Sequence, residues 1–270
     1  MTTPKGRVLI VAGSDSGGGA GIQADLRTVS ALGGYGMTAI TALTAQNTLG
    51  VFGIHPVPAD FVAQQMRVVL DDLGADAIKI GMLGSAEIAE AVADVLESVP
   101  DIPVVLDPVM ISTSGSALLD EAGVTALKEC LVPKAFLLTP NLKEAQALTG
   151  MTIDNLSAME KAADRLLALG PRNVLLKGGH LDSDELVDLL VGAEGRAEFR
   201  HARLGTRHTH GTGCTLASAV AAGLAHGWPL HTAAFTAHSY VQTAIQAAPG
   251  FGGGNGPLGS GLEVRWIREQ

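Results

Sequence analysis

The chain has 270 residues, of which 47% are hydrophobic, 17% charged and only 4% aromatic, and its formal net charge is −9. An acidic chain with no basic run has no electrostatic footprint for nucleic acid, and two cysteines, Cys130 and Cys214, cannot build a disulfide framework. The length suits a single α/β domain over residues 1–270, and the cysteine usage fits a reducing compartment, the cytoplasm.

Lys5 and Arg7 precede "VLIVAG", but that apolar run is too short for a signal peptide and no cleavage site follows. "RVLIVAGSD" therefore reads as a first strand, and "AGIQADLRTVSALGG" as a helix stopped at Gly33-Gly34. "MTAITALTAQNT" is strand-like, and "VFGIHPVP" reads as an edge strand closed by prolines. In "ADFVAQQMRVVLDDL", Phe61, Met66, Val69 and Leu73 fall close to helical spacing. Next come strand "DAIKIGML", helix 85–98, strand "IPVVLDPVM", a polar loop "STSGS", helix 120–131 and strand "AFLLTP". Helices at 141–149 and 157–169, strand "NVLLKGGH" and a hairpin through "LVDLLVG" and "AEFRHAR" follow. After "HTHGTGC" the pattern predicts helices 214–226 and 229–247, broken by Gly227 and Pro229, and the tail "GFGGGNGPLGSGL" reads as a flexible loop. The longest apolar helical run, "TLASAVAAGLA", falls short of the ~18 residues that suggest a membrane span.

Strands alternating with helices imply βαβ units and a mostly parallel sheet covered on both faces. Ligands in such folds sit at the carboxyl ends of the strands. Those ends carry Gly13-Ser14-Asp15, Gln46-Asn47, Gly81-Met82, Asp107-Pro108, Thr139-Pro140-Asn141 and Lys177-Gly178-Gly179. Few ionisable residues are expected elsewhere in the strands.

No G-x-x-x-x-G-K-[ST] loop is present, and "GSDSGGGAGIQ" fits no G-x-G-x-x-G register, so the familiar nucleotide loops are excluded or weak. Its three successive glycines exceed the needs of a turn and point to close approach of a ligand. "HGTGC" opens a helix, so the amides of Gly211, Thr212, Gly213 and Cys214 point along its axis toward an anion. A thiol at that spot should have a lowered pKa and be partly thiolate near neutrality; the plainer reading makes Cys214 a small buried hydrophobe. Asn141 and Glu144 read equally as a helix cap or as an amide and a carboxylate beside a magnesium–phosphate cluster, and the motif alone does not decide. Lys177, followed by two glycines, has open space around its ammonium that suits a phosphate.

Together, "AGSDSGGGAGIQADLRT", "TALTAQNT", "KIGML", "VVLDPVM", "LLTPNLKEA", "LLKGGH" and "HTHGTGCTLASA" resemble the hydroxymethylpyrimidine/phosphomethylpyrimidine kinase branch of the ribokinase-like superfamily. The resemblance implies phosphorylation of 4-amino-5-hydroxymethyl-2-methylpyrimidine by ATP with Mg2+, then a second phosphorylation to the diphosphate used for thiamine diphosphate. It implies that Gln46 reads the aminopyrimidine edge, that Thr44 and Met82 line the ring pocket, and that Gly13 lets the backbone approach it. Lys177 and Asp107 would meet the ATP phosphates and magnesium, with Asn141 and Glu144 supporting the metal. Cys214 and the amides of Gly211, Thr212 and Gly213 would receive the transferring phosphoryl group. Most of the superfamily has G-A-G-D at that turn, with aspartate as base; here the cysteine of "GTGC" stands in its place. A homodimer is implied too.

A pyridoxal kinase of the same branch is the nearest alternative. Some pyridoxal-preferring relatives carry a lid cysteine near "DPVM", where this chain reads "DPVMISTSGS". A hydrolase with Cys214 as nucleophile and His210 as its partner, or a non-catalytic binding protein of this fold, are rivals from other classes.

Overall fold

A computed structural model describes residues 6–111, 115, 117–179 and 185–259. Among them one sheet runs β3-β2-β1-β4-β5-β6-β7-β8-β9. Its strands are β1 (Arg7–Asp15), β2 (Tyr35–Asn47), β3 (Gly50–Pro56), β4 (Ala77–Ile80), β5 (Val104–Leu106), β6 (Leu137–Leu138), β7 (Asn173–Leu176), β8 (Glu185–Gly192) and β9 (Gly195–Ala202). From β2 to β7 every neighbouring pair is parallel. Antiparallel pairing is confined to β3 at one edge and the β8–β9 hairpin at the other.

Strand residues alternate between two cores, as a sheet covered on both faces requires. Leu9, Val11, Ile78 and Ile80 face helices α2 (Ala59–Asp72), α3 (Ala86–Glu97), α4 (Glu121–Ala126), α5 (Leu142–Thr149) and α6 (Leu156–Leu167). Val8, Ile10, Ala12 and Ala77 face α1 (Gly21–Ala31), α7 (Thr212–Ala225) and α8 (Leu230–Gln246). The chain leaves β1 toward β2 on one side and β4 on the other, and such a reversal opens a crevice at the strands' carboxyl ends.

Several expectations need correction. On α2 the buried face is Val62, Ala63 and Met66, while Phe61 and Leu73 are exposed, because the true apolar stripe starts one residue later. The strand interiors are not free of charge, since Lys79 sits in the middle of β4 with no exposure. The tail is not loose over its described part. His210 N–H donates to the Gly256 carbonyl, Asn255 N–H to Thr48 and Gly259 N–H to Ala244, and Leu258 is buried. Most of the "STSGS" loop and the end of the tail lie outside the described residues. No helix among the described residues is long and apolar enough to cross a membrane.

Candidate active site

A cavity of about 900 Å3 opens at the carboxyl ends of the strands, within the usual range for small-ligand sites. Every residue singled out from the sequence as a site residue lines it, from Gly13, Thr44, Gln46 and Met82 at one end to Asp107, Asn141, Glu144 and Lys177. The turn Gly211–Cys214 lies in the same wall.

Gly211 caps α7 with φ of 86°, and a Cβ there would sit 1.9 Å from the Gly19 carbonyl oxygen. Only glycine satisfies both demands. The Thr212 amide is taken by the Thr209 carbonyl at 3.3 Å, so it is not part of the anion cradle. The amides of Gly213 and Cys214 donate to no acceptor among the described residues and remain for a ligand. A Cβ on Gly213 would stand 3.2 Å from Lys177 Nζ and 3.5 Å from Asp107 Oδ2. The glycine therefore leaves a space between the helix N-terminus and this ion pair.

Lys177 Nζ lies 2.8 Å from Asp107 Oδ1, and Thr139 Oγ1 donates to the same oxygen at 3.2 Å. Burial alone would lower the Lys177 pKa, but Asp107 and Glu144 outweigh it and raise it, so the ammonium stays charged. The open choice at Asn141 is answered in favour of a cap. The Asn141 side chain accepts from Glu144 N–H at 3.0 Å, and Glu144 Oε2 accepts from Asn141 N–H at 2.8 Å, a complete capping box. The same carboxyl faces the cavity, and burial, with Asp107 adding, pushes its pKa up to about 7 despite Lys177.

The expected thiolate at Cys214 is contradicted. Burial pushes the thiol up to about 11, with Asp25 and Asp107 adding to the rise. Lys79 and the Gly21 amide pull it down without compensating. A helix N-terminus lowers a thiol pKa where water or cations support the charge; here desolvation wins.

The glycine-rich loop holds an anion of its own. Asp15 accepts from the amides of Gly17, Gly19 and Ala20 at 2.8, 3.0 and 2.9 Å, which leaves those donors satisfied. Gly17, Gly18 and Gly19 do not line the cavity, and a Cβ on Gly19 would strike the His210 ring at 2.4 Å. The glycines make room for protein, not for a ligand.

His210 does not serve Cys214. Its Nε2 lies 2.9 Å from Asp15 Oδ2 and 3.2 Å from the Gln46 amide. A carboxylate only accepts, so His210 Nε2 carries a hydrogen and the Gln46 oxygen belongs on that side. Thr44 agrees: its one hydroxyl hydrogen goes to the Ser14 carbonyl at 2.9 Å, so at 3.2 Å from Gln46 it accepts from the amide nitrogen. One N–H and one oxygen lone pair of Gln46 then remain for a ligand. From sequence, Asp15 reads only as part of a strand end and His210 only as a rival partner for Cys214; their pairing is not legible there, because nothing local links positions so far apart. Gly13 N–H donates to the Met82 carbonyl at 3.1 Å, and a Cβ on Gly13 would lie 3.0 Å from Met82 Cε, so glycine lets the thioether lie across β1.

A second omission is Lys79. Its Nζ contacts Asp25 at 2.9 Å, and Asp25 accepts from Ser218 at 2.7 Å. Ser218 is one helical turn beyond Cys214 on α7, so a buried ion pair underlies the thiol. The signal was a lysine inside the apolar run "AIKI".

Residues 15–259 match the family model for phosphomethylpyrimidine kinase. The chain is 50% identical over 267 residues to the thiamine biosynthesis bifunctional protein of Geobacter sulfurreducens, covering 99% of this chain and 54% of that one. It thus spans about half the length of that relative. It is 51% identical to the hydroxymethylpyrimidine/phosphomethylpyrimidine kinase of Streptomyces coelicolor, over 94% of each chain. The pyridoxal kinase of Staphylococcus aureus in complex with AMP-PCP and pyridoxal superposes with a TM-score of 0.88 at 34% identity, covering 97% of this chain and 96% of that one.

Proposed function

The chain belongs to the phosphomethylpyrimidine kinase family, and we propose that it phosphorylates 4-amino-5-hydroxymethyl-2-methylpyrimidine and then its monophosphate, with ATP as donor, for thiamine diphosphate biosynthesis. The observation that carries this reading is the single cavity joining two unlike ends. One end offers unpaired helix amides against the Lys177 cation, a receptor for phosphoryl oxygens. The other offers the Gln46 amide edge beside Gly13, Thr44 and Met82, matching a ring nitrogen next to an exocyclic amine.

In the first step Lys177 and the Gly213 and Cys214 amides hold the transferring group while the hydroxymethyl oxygen attacks. We assign the proton to Cys214. With a pKa of about 11 its thiolate is the minor form near neutrality, and only that form can take the proton as the new O–P bond forms. The buried Lys79 ammonium beneath α7 stabilises that thiolate, whose charge is lost when it takes the proton. In the second step the nucleophile is already a phosphate oxygen and needs no base.

Magnesium fits the same wall. Asp107 Oδ2 faces the space beside Gly213, and the Glu144 carboxyl lies near it with Asn141 as its cap partner: hard oxygen donors for an ion that keeps several waters. When bound it would neutralise charge on the donor phosphates.

A pyridoxal kinase is the second reading, favoured by the superposition on the Staphylococcus aureus enzyme. A cysteine hydrolase is disfavoured by the His210 geometry and the raised thiol. We also propose a homodimer, since Phe52 and Ile54 stand exposed on the edge strand β3, and a cytoplasmic setting for its free cysteines. Parallel turnover of hydroxymethylpyrimidine and pyridoxal with ATP tests the main reading: kcat/KM should favour the pyrimidine, and a preference for pyridoxal would reverse the assignment.

A further inference from the structure

On the cavity wall built by β8, β9 and α8, Asp188, His201 and His238 converge. One carboxylate oxygen and one ring nitrogen of each histidine lie within 4.8 Å of one another. We propose that these three side chains form a binding site for a zinc-class divalent ion, distinct from the residues assigned to magnesium.

The first support is an unmet need. Neither imidazole makes a hydrogen bond with any described residue, although His238 is nine-tenths buried. Its Nε2 is buried without a partner, and its Nδ1 faces Asp188 Oδ2 at 3.5 Å, beyond the usual N–H···O range. Buried polar groups are rarely left so, and an unoccupied ion position is one of the recognised reasons. The 3.5 Å between His238 Nδ1 and Asp188 Oδ2 agrees, because ligand bonds of roughly 2.0–2.2 Å in a tetrahedral site place donor atoms about 3.4 Å apart.

The chemistry agrees as well. Burial lowers His201 and drives His238 down to about 3, so both rings are in the neutral form that ligates metals. Asp188 is raised by burial to about 6 and is still anionic above neutrality. Its Oδ1 accepts from Gly178 N–H at 2.7 Å, which holds the carboxylate with the other oxygen toward the histidines. Phe199 stacks on the His238 ring at 4.7 Å and fixes its plane. Two imidazoles and one carboxylate suit zinc, with a fourth position open to the cavity, whereas magnesium prefers oxygen alone.

The test uses the full, untagged chain, stripped with chelator and free of nucleotide, titrated with Co2+ and then Zn2+. One equivalent of Co2+ should produce the visible absorption of a four-coordinate site, Zn2+ should displace it, and Zn2+ should raise the thermal midpoint. His201→Gln and His238→Leu should each weaken Co2+ binding by more than ~10-fold, the least that loss of an outer-sphere partner usually costs. His201 is only half-buried, so its variant keeps the test decisive should the His238 variant fail to fold. Absence of the cobalt band overturns the site, as does a band that survives His201→Gln or is lost in Cys214→Ala.

Discussion

Replacing Glu144 with glutamine separates two roles of one carboxyl group. The capping role should survive, because the glutamine oxygen can still accept from Asn141 N–H. The ionic role should not. Glu144 is raised from an ordinary 4.5 to about 7, burial being the main cause. The folded state therefore holds its proton more tightly than the unfolded chain. The resulting stability is fully present below pH 4.5, falls as pH rises to about 7, and is flat above that. At ~1.4 kcal/mol per pH unit, the loss across this window is about 3 kcal/mol. Glu144→Gln does not titrate and should escape it. Urea unfolding of both proteins at pH 5 and pH 8 is the assay. The variant should lie near the wild type at pH 5 and exceed it by up to about 3 kcal/mol at pH 8, while phosphotransfer falls with the loss of a cavity-facing carboxylate. A stability gap that is the same at both pH values would refute the reasoning, since it would show that Glu144 titrates alike in folded and unfolded chains.

Iodoacetamide should modify Cys214 slowly at pH 7.5 and faster by about tenfold per pH unit toward 11, read by mass spectrometry of the Cys214 peptide; a plateau below pH 8 would restore the thiolate. Cys214→Ala should slow the first phosphorylation by ~10²-fold or more and the second much less, with the monophosphate supplied directly; equal losses would assign Cys214 to geometry alone. Lys79→Met leaves Asp25 charged and unpaired in the core and should cost roughly 3–5 kcal/mol, largely recovered by adding Asp25→Leu; a single variant of wild-type stability would mean that the pair is not ionised. Gln46→Ala should raise the pyrimidine KM about 10- to 100-fold, from roughly 1–3 kcal/mol of lost pairing, while the ATP KM holds; an unchanged pyrimidine KM would place the ring elsewhere.

Local pattern sufficed for the layered architecture and for the rim on which the site is built. Short continuous apolar runs alternating with longer helical segments dictate a covered parallel sheet, and its strand ends bring Gly13, Asp107, Asn141 and Lys177 to one crevice. Glycine before a helix likewise marked the cradle at Gly211. What the chain order could not disclose are properties summed over distant segments. The loop at Gly17–Gly19 reads from sequence as a place of close approach by a ligand, yet Asp15 fills it and His210, 195 residues from Asp15, packs against it. Cys214 sits where a helix dipole favours a thiolate, yet desolvation by surrounding elements sets the opposite direction. Lys79 finds Asp25 on α1 and Ser218 on α7, and Asp188 meets His201 and His238, only because the sheet places those elements side by side. Secondary structure and strand-end chemistry follow from short-range sterics and hydrophobic period. Ionisation, hydrogen-bond partners and ligand sets follow from burial and neighbours, which exist only once the chain has packed.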